Sequence, residues 1–317
     1  MAHLRDLVVS RQGYGCMGLS SVYGAADDAE SIRTIHRAID LGVTFLDTAT
    51  AYGNGHNETL VGKAIADRRD RVTLASKFNH RQGGAGAPPV SPREAVEASL
   101  GRLGLDHIDL YYLHRVDLQI PIEDSVGELG RLQDEGKIGG VGVSEATAEG
   151  LKRANAAYPV TALQSEYSLW TRGVEVEILP TARQLGIGFV AYSPLGRGFL
   201  AGSEITDPKD RRHQHPRFQA EAIAANARRR AAIEAVAQRL GVAVGQVSLA
   251  WVLSKGVVPI PGTRFIPHLE ANVAAGELVL DGAAVRALEA AFPLGSTVGE
   301  RYPADGMRLV APDPVVA

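Results

Sequence analysis

Asp47, Lys77 and His114 each stand at the end of a short apolar run, and Tyr52 follows Asp47 by five positions. The stretches read FLDTATAYG (45–53), VTLASKF (72–78) and IDLYYLHRVD (108–117). Short apolar runs of this kind read as buried strands. In a barrel of parallel strands, the strand ends converge on one face and build the active site. A carboxylate, an ammonium, an imidazole and a phenol meeting there can deliver a proton. Tyr52 is the candidate donor, because a phenol is neutral at pH 7 and carries an O–H. Lys77 beside it is expected to lower the phenol's pKa by favouring the phenolate, with Asp47 holding Lys77 charged and in place. His114 can hydrogen-bond an oxygen on which negative charge builds. The chemistry this set suits is carbonyl reduction. Taken singly, each residue reads more simply as a cap, a surface charge or a half-buried aromatic; the combination carries the reading.

Those residues need a scaffold that alternates strands and helices, and the chain supplies one. Strands are expected near 13–16, 43–47, 72–76, 108–113, 138–143, 160–164, 187–192 and 257–260. Helices are expected over 27–40, 58–68, from 92 to 103, and over 122–135, 147–157, 174–185 and 220–240. Asp27 caps the first helix and Gly42 stops it, while Ser91-Pro92-Arg93-Glu94 is a capping box with proline at the first helical position. Eight such repeats predict an α/β fold, a (β/α)8 TIM barrel, formed by residues 1–317 as a single domain. A doubly wound sheet is the rival, but no G-x-G-x-x-G follows the first strand. The stretch 193–219 has little periodicity and is expected to lie over the active site as a long loop after strand seven. The tail 306–317 is expected to be loosely ordered.

Composition narrows the class. The 317 residues carry 33 Lys and Arg against 36 Asp and Glu, so the net charge of −3 gives no strong attraction to nucleic acid or anionic membranes. Cys16 is the single cysteine, which excludes an intramolecular disulfide and fits a cytoplasmic location. No long apolar run predicts a membrane span. No His, Cys or acidic cluster has metal-ligand spacing, so no metal is expected.

The chain resembles the aldo-keto reductases over nearly its whole length. The motifs carrying the resemblance are GCMG (15–18), YGAADDAES (23–31), FLDTATAYG (45–53), DLYYLHRVD (109–117), GVSEA (142–146), LQSEYSLWTR (163–172), GIGFVAYSPLGRGFLAG (186–202), PRFQ (216–219) and PIPGTR (259–264). The subgroup it looks most similar to includes pyridoxal reductase and perakine reductase. The resemblance implies a (β/α)8 barrel with a short N-terminal hairpin, and NADP(H) bound in preference to NAD(H) without a Rossmann fold. It implies reduction of an aldehyde or ketone by Asp47, Tyr52, Lys77 and His114, with a small-molecule carbonyl as the partner.

By the same resemblance, Ser144, Glu145 and Gln164 would grip the nicotinamide carboxamide and Tyr192 would stack on its ring. Cys16, Met17 and Gly18 would lie beside the ribose, and Asp47 would also approach the cofactor. Ser193, Pro194, Leu195, Gly196, Arg197 and Gly198 would pass the pyrophosphate, with Arg197 adding charge. Gly262, Thr263 and Arg264 would cradle the 2′-phosphate, with His268 and Asn272 nearby. The family often has Arg where His268 stands and Glu where Ala271 stands, which implies a looser adenine grip. The substrate pocket is expected to use Tyr23, Phe78, His114 and Trp170, with His213, His215 and Phe218 in the loop at its entrance. Aromatic aldehydes, pyridoxal and α-dicarbonyls all fit such a pocket. Two alternatives stand beside this reading: a Schiff-base lyase using Lys77 as nucleophile, and a non-catalytic NADPH-binding regulatory subunit.

Overall fold

The computed structural model describes residues 1–81 and 87–312. An antiparallel hairpin, β1 (Ala2–Leu4) and β2 (Leu7–Val9), precedes eight parallel strands. These are β3 (Tyr14–Gly15), β4 (Phe45–Asp47), β5 (Thr73–Phe78), β6 (Leu110–Leu113), β7 (Val141–Ser144), β8 (Val160–Glu166), β9 (Gly188–Tyr192) and β10 (Val258–Pro259). They pair in sequence order. The N–H groups of Gly13 and Gly15 donate to the carbonyls of Pro259 and Pro261, which joins the first strand to the last and closes the expected barrel.

Side-chain parity explains the interior. Tyr112 stands opposite Lys77 and Gly142, Gln164 opposite Ser144 and Val190, and Tyr192 opposite Glu166. With a period of two, Ala75 and Lys77 share one face of β5, and Leu110, Tyr112 and His114 share one face of the β6 run. The lower layers are apolar: Phe45, Ala75, Leu110, Tyr112, Ala162, Val190, Val258 and Ile260 form one cluster, into which Leu4 and Val9 of the hairpin pack as a floor. The upper layer is where these faces turn polar. The second core lies between the strands and the surrounding helices.

The helices include α1 (Asp28–Asp40), α2 (His56–Ile65), α3 (Pro92–Leu103), α4 (Ile122–Asp134), α5 (Ala148–Ala157), α6 (Ile178–Gln184) and α7 (Ala220–Leu240). Asp27 caps α1 by accepting from the Glu30 N–H at 2.8 Å. Ser91 and Glu94 form the capping box of α3, and Gly104 ends it in the left-handed conformation. The helix expected over 174–185 is broken into a single turn, Gly173–Glu175, and α6. Pro180 is the reason: it cannot donate to the carbonyl of Val176, so a helix can start near it but not run through it. Three further helices, α8 (Val244–Ser254), α9 (Ile266–Ala274) and α10 (Gly282–Ala291), were not among the expected elements, and a short α11 (Ala304–Met307) follows. The stretch 193–219 is built from short turns, Gly196–Ala201, Arg211–Gln214 and Pro216–Phe218. The tail differs from expectation as far as it is described. Val310 and Ala311 are buried and Ala311 is hydrogen-bonded to the barrel through Glu145; residues 313–317 lie outside the described residues. No single described helix is long and apolar enough to cross a membrane.

Helix–helix approach sets one test of this packing. A Cβ on Gly62 of α2 would stand 2.2 Å from the carbonyl oxygen of Leu103 at the end of α3. Alanine normally favours a helix over glycine by about 1 kcal/mol, but a clash with backbone costs about 1–3 kcal/mol. Gly62→Ala is therefore expected to lower the midpoint of urea unfolding. An unchanged or raised midpoint would show that α2 and α3 are not in this contact.

Candidate active site

Asp47 closes β4, Lys77 lies in β5 and His114 follows β6, so three adjacent strands deliver their side chains to one end of the barrel. Lys77 is fully buried and donates to the Asp47 carboxylate at 2.5 Å, to the Thr48 carbonyl at 2.8 Å and to the Tyr52 hydroxyl at 3.4 Å. Tyr52 stands on the loop between β4 and α2. That loop is clamped along β5, with the Thr48 and Thr50 N–H groups donating to the Ala75 and Lys77 carbonyls. The Tyr52 ring meets His114 edge-on at 5.9 Å. The four residues expected to act together are thus brought together.

A second layer, not anticipated from the sequence, fixes the loop from behind. Asn57 donates to the Cys16 carbonyl at 2.9 Å and accepts from the Thr48 hydroxyl at 2.6 Å. Glu58 is completely buried and accepts from Ser76 at 2.5 Å and Arg102 at 2.7 Å. Both residues open α2 five and six positions after Tyr52, so the same short segment that carries the phenol carries its anchors.

Burial dominates the electrostatics. Burial and then the Asp47 charge hold the Tyr52 hydroxyl well above the ordinary phenol range, with Arg115 opposing them. The lowering expected from Lys77, which donates to the phenol at 3.4 Å, is outweighed: burial and the Asp47 charge keep the Tyr52 hydroxyl high. Burial also pushes the Lys77 ammonium down, against the pull of Asp47. Burial, Arg115 and Lys77 together push His114 well below the usual imidazole range, so it is a neutral ring at pH 7. The arrangement is a protonated phenol and a neutral imidazole aimed at one place, which suits donation to an oxygen and not abstraction from carbon.

Around this set, Gln164 donates to Asp47 at 2.8 Å and Ser144 accepts from Arg115 at 3.2 Å. Tyr192 at the end of β9 exchanges a 3.0 Å hydrogen bond with the hydroxyl of Tyr302. The Arg212 guanidinium lies 5.3 Å from the centre of the Tyr23 ring, and burial pushes the Tyr23 hydroxyl up to about 12. Arg115, Arg301 and Tyr302 were all missed. Arg115 is the residue after His114 at a strand end, a position that signals a mouth residue; Arg301 and Tyr302 arrive from a distant segment and carry no local signal.

Four expected positions differ. Phe78 follows Lys77 and so points out of the barrel, where it stacks on Tyr111 at 5.8 Å in the core beneath the helices. Trp170 is buried on Phe199 at 4.1 Å and borders a cavity of about 310 Å³ shared with Arg172, Arg217 and Pro293, which none of the four central residues lines. Glu145 does not offer a free carboxylate: it is buried, in the left-handed conformation, and accepts from Arg301 at 3.0 Å and from the N–H groups of Glu166 and Ala311. Arg197 is spent on Glu166 at 3.0 Å. Burial pushes the Glu166 carboxyl up, but Arg197, Arg217 and Arg301 outweigh it and bring it down to about 2.

The other expected cofactor positions retain a donor set that suits a phosphorylated dinucleotide. Ser193, Gly196, Arg197 and Gly198 all have positive φ, a backbone form that can turn N–H groups toward an anion; Pro194 and Leu195 lie between them. Arg264 donates to the carbonyls of Tyr23 and Gly24 and has no carboxylate at ion-pair distance among the described residues. Gly262 packs where a Cβ would come 2.4 Å from the Gly15 carbonyl, and the Thr263 carbonyl accepts from Tyr14. His268 is exposed against Phe265 and Asn272 is buried. Cys16, Met17 and Gly18 form the turn after β3, with the Cys16 thiol buried. Among the described residues no acidic, His or Cys group can hold a metal ion.

Comparison with known proteins agrees with this picture. The model of the aldo/keto reductase family matches residues 12–292. A probable aldo-keto reductase 1 from Glycine max is 43% identical over 306 residues, 93% of this chain and 88% of that protein. An aldo-keto reductase from Klebsiella pneumoniae, solved in complex with NADPH, is 31% identical with a TM-score of 0.71 over 94% of this chain and 97% of that one. A glycerol dehydrogenase from Gluconobacter oxydans is 28% identical with a TM-score of 0.78, covering 90% of this chain and 92% of its own.

The buried pair between Glu145 and Arg301, 3% and 2% exposed, generates a stability prediction. Removing one partner of such a pair strands the other charge and costs about 3–5 kcal/mol. Arg301→Leu should lose that much in chemical denaturation, and adding Glu145→Gln should recover part of it. Losses that simply add would contradict the pairing.

Proposed function

The chain belongs to the aldo/keto reductase family, and from that premise we propose that it reduces aldehydes or ketones to alcohols with Tyr52 as the proton donor. It is an NADP(H)-dependent oxidoreductase, and the bound nicotinamide supplies the hydride to the carbonyl carbon. The reading rests on one observation above the rest: a buried ammonium, Lys77, held between the Asp47 carboxylate and the Tyr52 hydroxyl.

The chain's own residues account for the remaining chemistry. Tyr52 carries its proton at the phenolic oxygen, and burial keeps that proton in place at neutral pH. His114, neutral, orients the carbonyl oxygen as it takes on charge. When the proton leaves, the resulting phenolate lies beside Lys77 and within the field of Arg115, which stabilise it. Asp47 keeps Lys77 from drifting by fixing its ammonium, and Gln164 fixes Asp47 in turn. A Schiff-base role for Lys77 needs a free amine, whereas its protons are committed to Asp47, Thr48 and Tyr52.

Ser144, Gln164 and Tyr192 would hold the nicotinamide end, the turn 193–198, with positive φ at Ser193, Gly196, Arg197 and Gly198, the pyrophosphate, and Arg264 the 2′-phosphate. A guanidinium matches a phosphate dianion well, which supports a preference for NADPH over NADH. The rings of Tyr23 and Tyr302 support flat carbonyl substrates such as aromatic aldehydes, pyridoxal or α-dicarbonyls, in keeping with the subgroup of pyridoxal and perakine reductases.

The test is Tyr52→Phe, assayed at 340 nm with NADPH and NADH in parallel. The variant should bind NADPH, seen by fluorescence quenching, and lose about 10²–10⁴ in kcat. Full retained activity would remove Tyr52 as the acid.

A further inference from the structure

Each buried cation near the barrel mouth has a carboxylate opposite it, whereas the half-buried Arg115 has none at ion-pair distance among the described residues. Lys77 is paired with Asp47, Arg197 with Glu166, and Arg301 with Glu145. Arg115 donates to the His114 carbonyl at 2.8 Å and to the Ser144 hydroxyl at 3.2 Å. It lies 3.5 Å from the Tyr302 hydroxyl and 5.8 Å from the centre of the Tyr192 ring. Among the described residues no carboxylate stands at ion-pair distance from it. A guanidinium has five N–H groups, and the acceptors that touch this one among the described residues are all neutral, the Glu145 carboxylate acting on it only from a distance. Burial works against the Arg115 charge and the more distant Glu145 favours it, but no anion among the described residues touches the guanidinium directly, and a ligand carboxylate would supply that contact.

The position says which ligand. Arg115 follows His114 directly, and its charge reaches both His114 and Tyr52. Arg115 stands between the His114 carbonyl, the Tyr302 hydroxyl and the Ser144 and Tyr192 side chains proposed for the nicotinamide end, so a substituent on a carbonyl held at Tyr52 and His114 would come to its side of the mouth. We propose that Arg115 is a specificity residue that selects carbonyl substrates bearing a carboxylate or another anionic group close to the carbonyl, with the Tyr302 hydroxyl as a second donor. The assignment rests on the placement of the carbonyl at Tyr52 and His114 in the proposed function. It goes beyond that reading by naming the charge class of the substrate.

The experiment compares 2-, 3- and 4-carboxybenzaldehyde with their methyl esters, which keep the ring and the aldehyde and lose the charge. With NADPH, the wild type should favour at least one acid over its ester by about 10–100-fold in kcat/KM, the range expected of a charged hydrogen bond. Arg115→Gln should bring that ratio to within about threefold of unity, and Arg115→Lys should restore part of it. If Arg115 acts on the Tyr52 proton alone, acid and ester fall together in Arg115→Gln and the ratio stays; that result overturns the proposal. Equal use of acids and esters by the wild type also overturns it.

Failure of the underlying reading is seen separately. If the wild type reduces none of the six aldehydes, the reductase assignment is contradicted. Titration of benzoate into the NADP⁺-loaded protein, followed by calorimetry, still tests the anion site. Arg115→Gln should weaken benzoate at least tenfold there, and unchanged affinity counts against Arg115.

Discussion

The ion pair between Lys77 and Asp47 is the constraint around which the mouth of this barrel is organised. An ammonium with no exposed surface is tolerable when a carboxylate and further acceptors meet it, and the structure provides Asp47 from the next strand and the Thr48 carbonyl from the loop beyond. That requirement fixes how β4 and β5 register, since Asp47 must end its strand where the inward face of β5 delivers Lys77. It also fixes the start of the following loop, because the Thr48 carbonyl is one of the acceptors. Tyr52, a few residues on, inherits its place from that loop. The phenol, the imidazole and the polar ends of β7, β8 and β9 then face one another because parity puts all of them on the inner side.

The barrel separates two tasks by depth. Its lower layers are apolar and plugged by the N-terminal hairpin, with Leu4 lying so close to Gly188 that a Cβ there would meet the Leu4 backbone at 2.4 Å. Its upper layer is charged, paired and hydrogen-bonded. The pairs at that level are made by segments remote in sequence: Arg197 and Arg217 reach Glu166, and Arg301 reaches Glu145. Residues 298–311 thereby cross the barrel end and bring Tyr302 against Tyr192. The rim is held by long-range charge pairing, while the strands are held by apolar packing.

Much of this was legible in the chain. Apolar runs ending in Asp47, Lys77 and His114 are local signals, and periodicity two turns each into an inward-facing residue. The capping box at Ser91 and the alternation of elements were equally local. What escaped was of two kinds. Phe78 was expected in the substrate pocket, although the same parity that turns Lys77 inward turns Phe78 outward. Glu145 and Arg197 looked like cofactor ligands by resemblance, yet their partners, Arg301 and Glu166, stand 156 and 31 positions away. Pairings over such separations leave no trace in composition or spacing. The break at Pro180 was readable and shows that one residue outweighs a favourable periodicity.

The central claim is that Asp47 and Lys77 act as one unit upon Tyr52, and a double-mutant cycle on turnover tests it most directly. Asp47→Asn, Lys77→Met and the combined variant would be compared by kcat for reduction of one aldehyde with NADPH at fixed pH. Residues that serve a single function lose it once. The account predicts that each single variant is severely slowed and that the double variant is no more than a few-fold slower than the worse single one. Losses that multiply through the cycle would mean that the two residues act independently, and the ion pair would not be what positions the proton donor.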